Sequence, residues 1–311
     1  MLKYLIVLLD DTSVSFCHYE NNRREARLIP IADLKAALRW AMKENLMAQF
    51  VYPNYQIPKE HLNVIETVDH IDITSDKYKG DVVIFNGIDS VHRIEEIPDD
   101  NIVLRLHKSE LFKGADNIIG LVKQNKSLRI IIEDISDFNE EDFRTYKSIL
   151  NKISESVKSV IVSGKQIQVS PITDRIQLDS MNNCNAGVES ITLAPDGKFY
   201  ICPAFYYDGL NDVGNPTDGL VIPNQQLFRL EYAPICRNCD AYHCKRCVWL
   251  NQKTTLEVNT PSHEQCVVSH LERNESMYLL NFLKQKGIIR THISIPEIDY
   301  LDPFDKIVNK I

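Results

Sequence analysis

The sequence predicts an α/β fold, with a helix-covered parallel sheet over residues 1–175 and a small, loop-rich, cysteine-built region after it. Three observations predict it. Short, wholly apolar runs alternate with stretches of helical period, the pattern of doubly buried strands separated by helices. After about residue 175 long regular elements vanish, and Asn, Asp, Gly and Pro become dense. Seven of the eight cysteines (Cys184, Cys202, Cys236, Cys239, Cys244, Cys247 and Cys266) lie in the last 130 residues.

The elements follow in order. Leu5 to Leu9 is a continuous apolar strand, and Leu34, Ala37, Leu38, Ala41 and Leu46 then recur at near-helical spacing. Phe50-Val51-Tyr52 is a second strand, stopped by Pro53, and Pro58 opens a helix near Leu62 and Ile65. Val82 to Phe85 and Ile102 to Leu104 are further strands with a short helix between them. Leu111, Ile118, Ile119 and Val122 belong to a helical stretch interrupted at Gly114. Leu128 to Ile132 is a strand, and Asn139 caps a helix with Phe143, Tyr146, Leu150, Ile153 and Val157 on one face. Val160-Ile161-Val162 reads as another strand. About six β/α units fit this span, as a partial barrel or an open sheet. His270 to Lys286 reads as a helix, and the tail from Ile293, with Tyr300 and Phe304, as an extended docking segment. The divisions expected are 1–175, 176–270 and 271–311.

The chain of 311 residues is 44% hydrophobic and 25% charged, the composition of a soluble globular protein. Its net charge of −8 argues against a general nucleic-acid binder. The apolar start ends at Asp10-Asp11 with no basic leader and no small-residue cleavage site, so no signal peptide is expected. No run reaches the roughly 18 apolar residues that span a bilayer. No membrane partner and a cytoplasmic location are expected, and in that reducing compartment clustered cysteines favour metal ligation over disulfides.

Cys236-x2-Cys239-x4-Cys244-x2-Cys247 is a dense thiol knot followed by Cys266, and Cys184 and Cys202 bracket the turn Ala194-Pro195-Asp196-Gly197. Thiolates at two-residue spacing grip one metal centre from a tight turn. The order Cys184-x12-Gly197-x4-Cys202, the knot, then Cys266 resembles the SPASM domain of radical S-adenosylmethionine peptide-modifying enzymes. The second and third spacings of the knot are each one residue shorter than that pattern. The resemblance implies up to two auxiliary [4Fe–4S] clusters. Cys184, Cys202 and Cys247 would hold the first, with its fourth iron open, and Cys236, Cys239, Cys244 and Cys266 the second. Structural zinc is the alternative, worth roughly 10 kcal/mol or more of folding energy.

The same resemblance implies a partial (β/α)6 barrel over the first part of the chain. Such barrels carry Cys-x3-Cys-x2-Cys after the first strand, where this chain reads Ser13-Val14-Ser15-Phe16-Cys17-His18-Tyr19-Glu20. Cys17 and Tyr19 fall where the second Cys and an aromatic belong, and Ser13 and Glu20 replace the other two thiols. One thiolate cannot hold the catalytic cluster. After the second strand, Gly-Gly-Glu is replaced by Tyr52-Pro53-Asn54-Tyr55, with no glycine for close approach of a cofactor. The chain therefore resembles a degenerate radical enzyme, similar to the CXXX-repeat peptide maturase family of Bacteroidetes. Cleavage of S-adenosylmethionine is not expected, and no catalytic residue is assigned. The role implied is an accessory subunit that binds a precursor peptide or pairs with an active radical enzyme. The alternatives are a maturase active through an open auxiliary cluster, or a zinc-stabilised binding module. Cys17 itself reads as a buried or idle thiol. His243 is a possible substitute ligand, although Lys245 and Arg246 beside it suggest an exposed turn. Asp10, Asp11 and Glu20, at the carboxyl end of the first strand, are at most remnants of a pocket.

Overall fold

The computed structural model describes residues 2–94, 101–124 and 126–289. Its first part runs β1 (Tyr4–Leu8), α1 (Ile31–Lys43), β2 (Met47–Val51), α2 (Lys59–Ile65), β3 (His70–Ser75) and β4 (Val82–Asn86). It continues through α3 (Val91–Ile94), β5 (Asn101–Leu106), α4 (Lys108–Lys113), α5 (Ala115–Lys123), β6 (Leu128–Ile132), α6 (Glu140–Val162), β7 (Val169–Ser170) and α7 (Asp174–Gln177). The cysteine-bearing part adds β8 (Ser190–Leu193), β9 (Phe199–Tyr200), α8 (Pro203–Tyr207), β10 (Gly214–Asn215), β11 (Gly219–Leu220), α9 (Val248–Thr255) and α10 (His263–Gln285).

The main sheet has the order β7-β6-β5-β4-β3-β2-β1-β8-β9. Its strands pair in parallel except β8 with β9. Leu5, Val7 and Leu8 of β1 are fully buried, as a central parallel strand demands. Strands in sequential order with right-handed crossovers put their covering helices on one face and leave the other face to the interior. β7 and β9 are the two edges among the described residues, so the sheet does not close there.

β8 pairs with β1 through Tyr4↔Ser190 to Val7↔Leu193, so the cysteine region is sewn onto the sheet by main-chain hydrogen bonds. The turn from β8 to β9 is the expected one. Gly197 takes φ +79° and its N–H donates to Ala194 O at 3.0 Å, a conformation that only glycine adopts without strain. One buried apolar cluster runs from Leu5 and Phe50 through Phe143 and Leu150 to Phe199, Trp249, Val268 and Leu283.

Three features depart from the sequence expectations. Val160-Ile161-Val162 is the last turn of α6 and not a strand. Val160 extends the buried face of Ile153 and Val157 against neighbouring helices, so tertiary packing overrides the β-branched composition. β3 carries His70, Asp72, Thr74 and Ser75, too polar to read as a buried strand. It joins β4 without a helix, through a loop folded back so closely that a Cβ on Gly80 would meet Thr74 Oγ1 at 2.6 Å and Asp72 O at 3.0 Å. α10 begins at His263, seven residues before the expected start, because Ser262 Oγ accepts from Gln265 N–H. The tail from Ile293 lies outside the described residues.

Candidate metal centres

The knot is built from turns that aim amides at sulfur. Cys239 N–H donates to Cys236 O at 3.0 Å and Cys244 N–H to Ala241 O at 2.9 Å, which closes two tight turns. The N–H two residues after each of two thiols then donates to it: Ala241 to Cys239 Sγ and Arg246 to Cys244 Sγ, both at 3.4 Å. Such bonds favour the ionised form of a thiol. Cys236, Cys239, Cys244 and Cys266 together line a cavity of about 70 Å³. His270 Nε2 lies 3.5 Å from Cys239 Sγ. Burial pushes Cys236 up to about 12 and Cys239 up to about 11. Thiols held so reluctant to ionise need a cation before they become thiolates.

The second group is assembled from separate segments. Cys202 and Cys247 are the residues that precede α8 and α9, and each receives backbone N–H groups of its helix. Cys184 is drawn in by Asn182 N–H to Tyr242 O at 2.8 Å and Cys184 N–H to Lys245 O at 2.9 Å. Burial raises Cys202 well above the usual thiol range, and the neighbouring Cys247 and Cys184 raise it further. Cys184 and Cys247 line a cavity of about 360 Å³, whose walls include Ile6 and Gln49 on the inner sheet face and Lys245 and Arg246 of the knot.

No three His, Cys, Asp or Glu side chains among the described residues are gathered tightly enough to grip a single metal ion. The donor set nevertheless fits a metal–sulfur group, and Arg246 shows why. The exposed turn expected at Lys245 and Arg246 is not found. Arg246 is 1% exposed, and burial lowers the Lys245 amine to about 8. Arg246 lines both cavities, and its Nη2 donates to Phe228 O. Its Nε and Nη1 have no hydrogen-bond partner among the described residues. A buried guanidinium with two idle donors is costly unless an anion faces it, and a metal–thiolate assembly is such an anion. His243 does not join the thiols. Its Nε2 lies 3.0 Å from Glu272 Oε2, while Glu272 Oε1 accepts from Tyr146 OH at 2.6 Å.

At the carboxyl ends of the strands, the loop after β1 is consumed by the protein itself. Ser13 Oγ donates to Val51 O at 2.8 Å, and Val14 N–H donates to Tyr52 O at 3.0 Å. Arg105 of β5, 4% exposed, donates from Nε to Cys17 O at 2.8 Å and from Nη2 to Tyr19 O and Glu133 Oε2, both at 2.7 Å. Asp10 accepts from Tyr55 OH at 2.9 Å and Thr12 OH at 2.6 Å. Asp11 pairs with Arg23 and Arg27, each at 2.9 Å. Glu20 is exposed and shares a polar cavity of about 590 Å³ with Asn54, Tyr55, Asn86 and Glu133. Sequence reasoning missed Arg105 and Arg246, because a lone arginine in a strand or knot looks like solvated surface until its burial is known.

No protein-family model matches the sequence, and no curated protein matches it. Among solved structures, the chain is similar to anSMEcpe with bound AdoMet and Kp18Cys peptide, with a TM-score of 0.62 at 12% identity over 91% of this chain and 99% of that one. At that identity the likeness is one of fold, a mixed α/β chain with a large parallel sheet. Streptococcus suis SuiB bound to precursor peptide SuiA matches with a TM-score of 0.44 at 12% identity over 85% and 76% of the two chains. SuiB bound to S-adenosylmethionine matches at 0.47 and 11% identity over 85% and 77%. Among the described residues no helix is long and apolar enough to cross a membrane.

Proposed function

We propose that this protein is an accessory subunit in the maturation of a ribosomally made peptide, one that binds the precursor peptide or an active radical enzyme without cleaving S-adenosylmethionine. One contrast carries the reading. The cysteine region keeps seven thiols, six of them on the walls of two cavities, whereas the loop after β1 has one thiol and turns its carbonyls onto Arg105. The overlap with anSMEcpe, solved with AdoMet and a peptide, supports a peptide as the ligand class. The cavity between sheet and knot suits a side chain of such a peptide. Ile6, Phe16 and Ile131 give it apolar walls, and Arg129 and Lys245 give it cationic ones.

Two metal–sulfur centres fit the thiol groups, one held by Cys236, Cys239, Cys244 and Cys266 and one by Cys184, Cys202 and Cys247. Iron–sulfur centres, when bound, supply one-electron transfer. The chain's own part is to bury the thiols, aim backbone N–H groups at sulfur and set Arg246 between the two groups.

The test mixes anaerobically prepared protein with its encoded precursor peptide and neighbouring radical enzymes. Binding of peptide or partner is expected in calorimetry or mass photometry, with no 5′-deoxyadenosine formed by this protein alone under reduction. Release of 5′-deoxyadenosine would overturn the accessory reading, as would a protein that stays monomeric and ignores every peptide and partner.

A further inference from the structure

We propose that Cys17 is the fourth thiolate of the centre built by Cys184, Cys202 and Cys247, fastening the loop after β1 to the cysteine region through metal. The inference rests on the reading that these thiols hold a metal–sulfur centre. It changes that reading by closing a coordination position that the three knot-side cysteines leave open.

Cys17 lines the same 360 Å³ cavity as Cys184 and Cys247. Among the other metal-binding side chains on those walls, His243 pairs with Glu272, and Cys244 belongs to the other thiol group. His18 commits Nδ1 to Ile132 O at 2.8 Å, so the His18→Ala variant below separates it from Cys17. Cys17 is the remaining thiol. Cys17, Cys184 and Cys247 thus put three sulfurs on the border of one space.

The loop is also held in place for the task. Arg105 fixes the carbonyls of Cys17 and Tyr19. The Tyr19 ring stacks on Tyr207 with centroids 5.5 Å apart and planes at 21°. Tyr207 ends α8, and Cys202 immediately precedes that helix, so one aromatic contact couples the positions of Cys17 and Cys202. Sulfurs placed on the walls of a cavity rather than around one point suit a cluster with four protein thiolates. A centre closed in this way relays electrons and has no site for a substrate atom.

The experiment compares wild-type protein with Cys17→Ala, Cys17→Ser, Cys202→Ala and His18→Ala, all prepared anaerobically. Iron and sulfide per chain and electron paramagnetic resonance spectra of oxidised and reduced samples are the readouts. Cys17→Ala and Cys202→Ala are both expected to lose about half of the iron or to show a three-iron signal, with His18→Ala unchanged. If Cys202→Ala alters the centre and the Cys17 variants match wild type, the place of Cys17 is overturned and the centre stands. If neither changes metal content, both fall. Should the wild-type protein carry zinc, zinc per chain replaces iron as the readout, and the same losses support or overturn the place of Cys17. Hydrogen exchange of residues 13–20 in wild-type protein gives an answer should a variant fail to fold. Protection lost on chelation supports the proposal, and protection unchanged by chelation overturns it.

Discussion

Arg246 states the energetic problem of the site at the scale of one residue. It is fully buried between Cys244 and Cys247, in a left-handed conformation at φ 45°, with two of its three guanidinium nitrogens lacking a hydrogen-bond partner among the described residues. In a metal-free interior such a group is a liability, and replacing it by an apolar side chain of similar size is neutral or stabilising. Beside anionic metal–thiolate groups it is an asset. Arg246→Met is therefore expected to lower metal content and to destabilise the loaded protein by about 2–3 kcal/mol, measured by metal analysis and denaturant unfolding. Unchanged metal content with higher stability would show that no anion faces Arg246. Neighbouring Asp240 bears on the same scale. It accepts from Arg273 Nε at 2.9 Å, and its main-chain oxygen takes Arg175 Nη1 at 2.6 Å, so the knot is anchored to α10 and α7 by two buried cations. Sequence spacing singles out the thiols because ligand chemistry demands a particular atom. It passes over Arg246, Arg105 and Asp240 because a charge shows its role only once its burial is known.

Elements are legible in the sequence where their period is long and obscure where it is short or mixed. α6 is the clearest match. Asn139 Oδ1 accepts from Glu141 N–H at 2.9 Å and Asp142 N–H at 3.1 Å, and Asp142 Oδ2 accepts in return from Asn139 N–H at 3.0 Å. Asn139→Ala is expected to cost about 1 kcal/mol, read as a lower denaturation midpoint at constant slope. A variant as stable as wild type would show that α6 is held by packing alone. The same helix holds the clearest mismatch, since its β-branched last turn imitates a strand. β3 escapes notice for the opposite reason, as polar residues occupy a strand only half-covered. In both cases neighbours that lie far away in sequence set the outcome.

At the scale of the whole molecule, the cysteine region and the sheet are mechanically one. β8 lies beside β1, a single apolar cluster crosses residue 175, and Arg23 and Arg27 reach from the loop after β1 to Tyr206. Metal held by these thiols, as proposed, would contribute on the order of 10 kcal/mol to the folding of a region with so little regular structure. Chelation under reducing conditions is therefore expected to open residues 180–250 to protease first and to lower the melting temperature of the whole chain. Identical cleavage patterns with and without chelator would show that the region folds on its apolar contacts alone.

By itself the sequence determined the fold class and most of the parallel strands, and it singled out the seven thiols as candidate ligands in two groups. Periods of 2 and 3.6 and two-residue thiol spacings are local facts, carried by neighbouring residues. Tertiary structure alone decided which cation lies between the two groups and where Cys17 stands. Those are matters of sheet register and of loops meeting across the β1–β8 seam, which no local pattern encodes. The lone thiol of the loop after β1 has no motif around it, yet pairing β8 with β1 brings it to the cavity wall that Cys184 and Cys247 share.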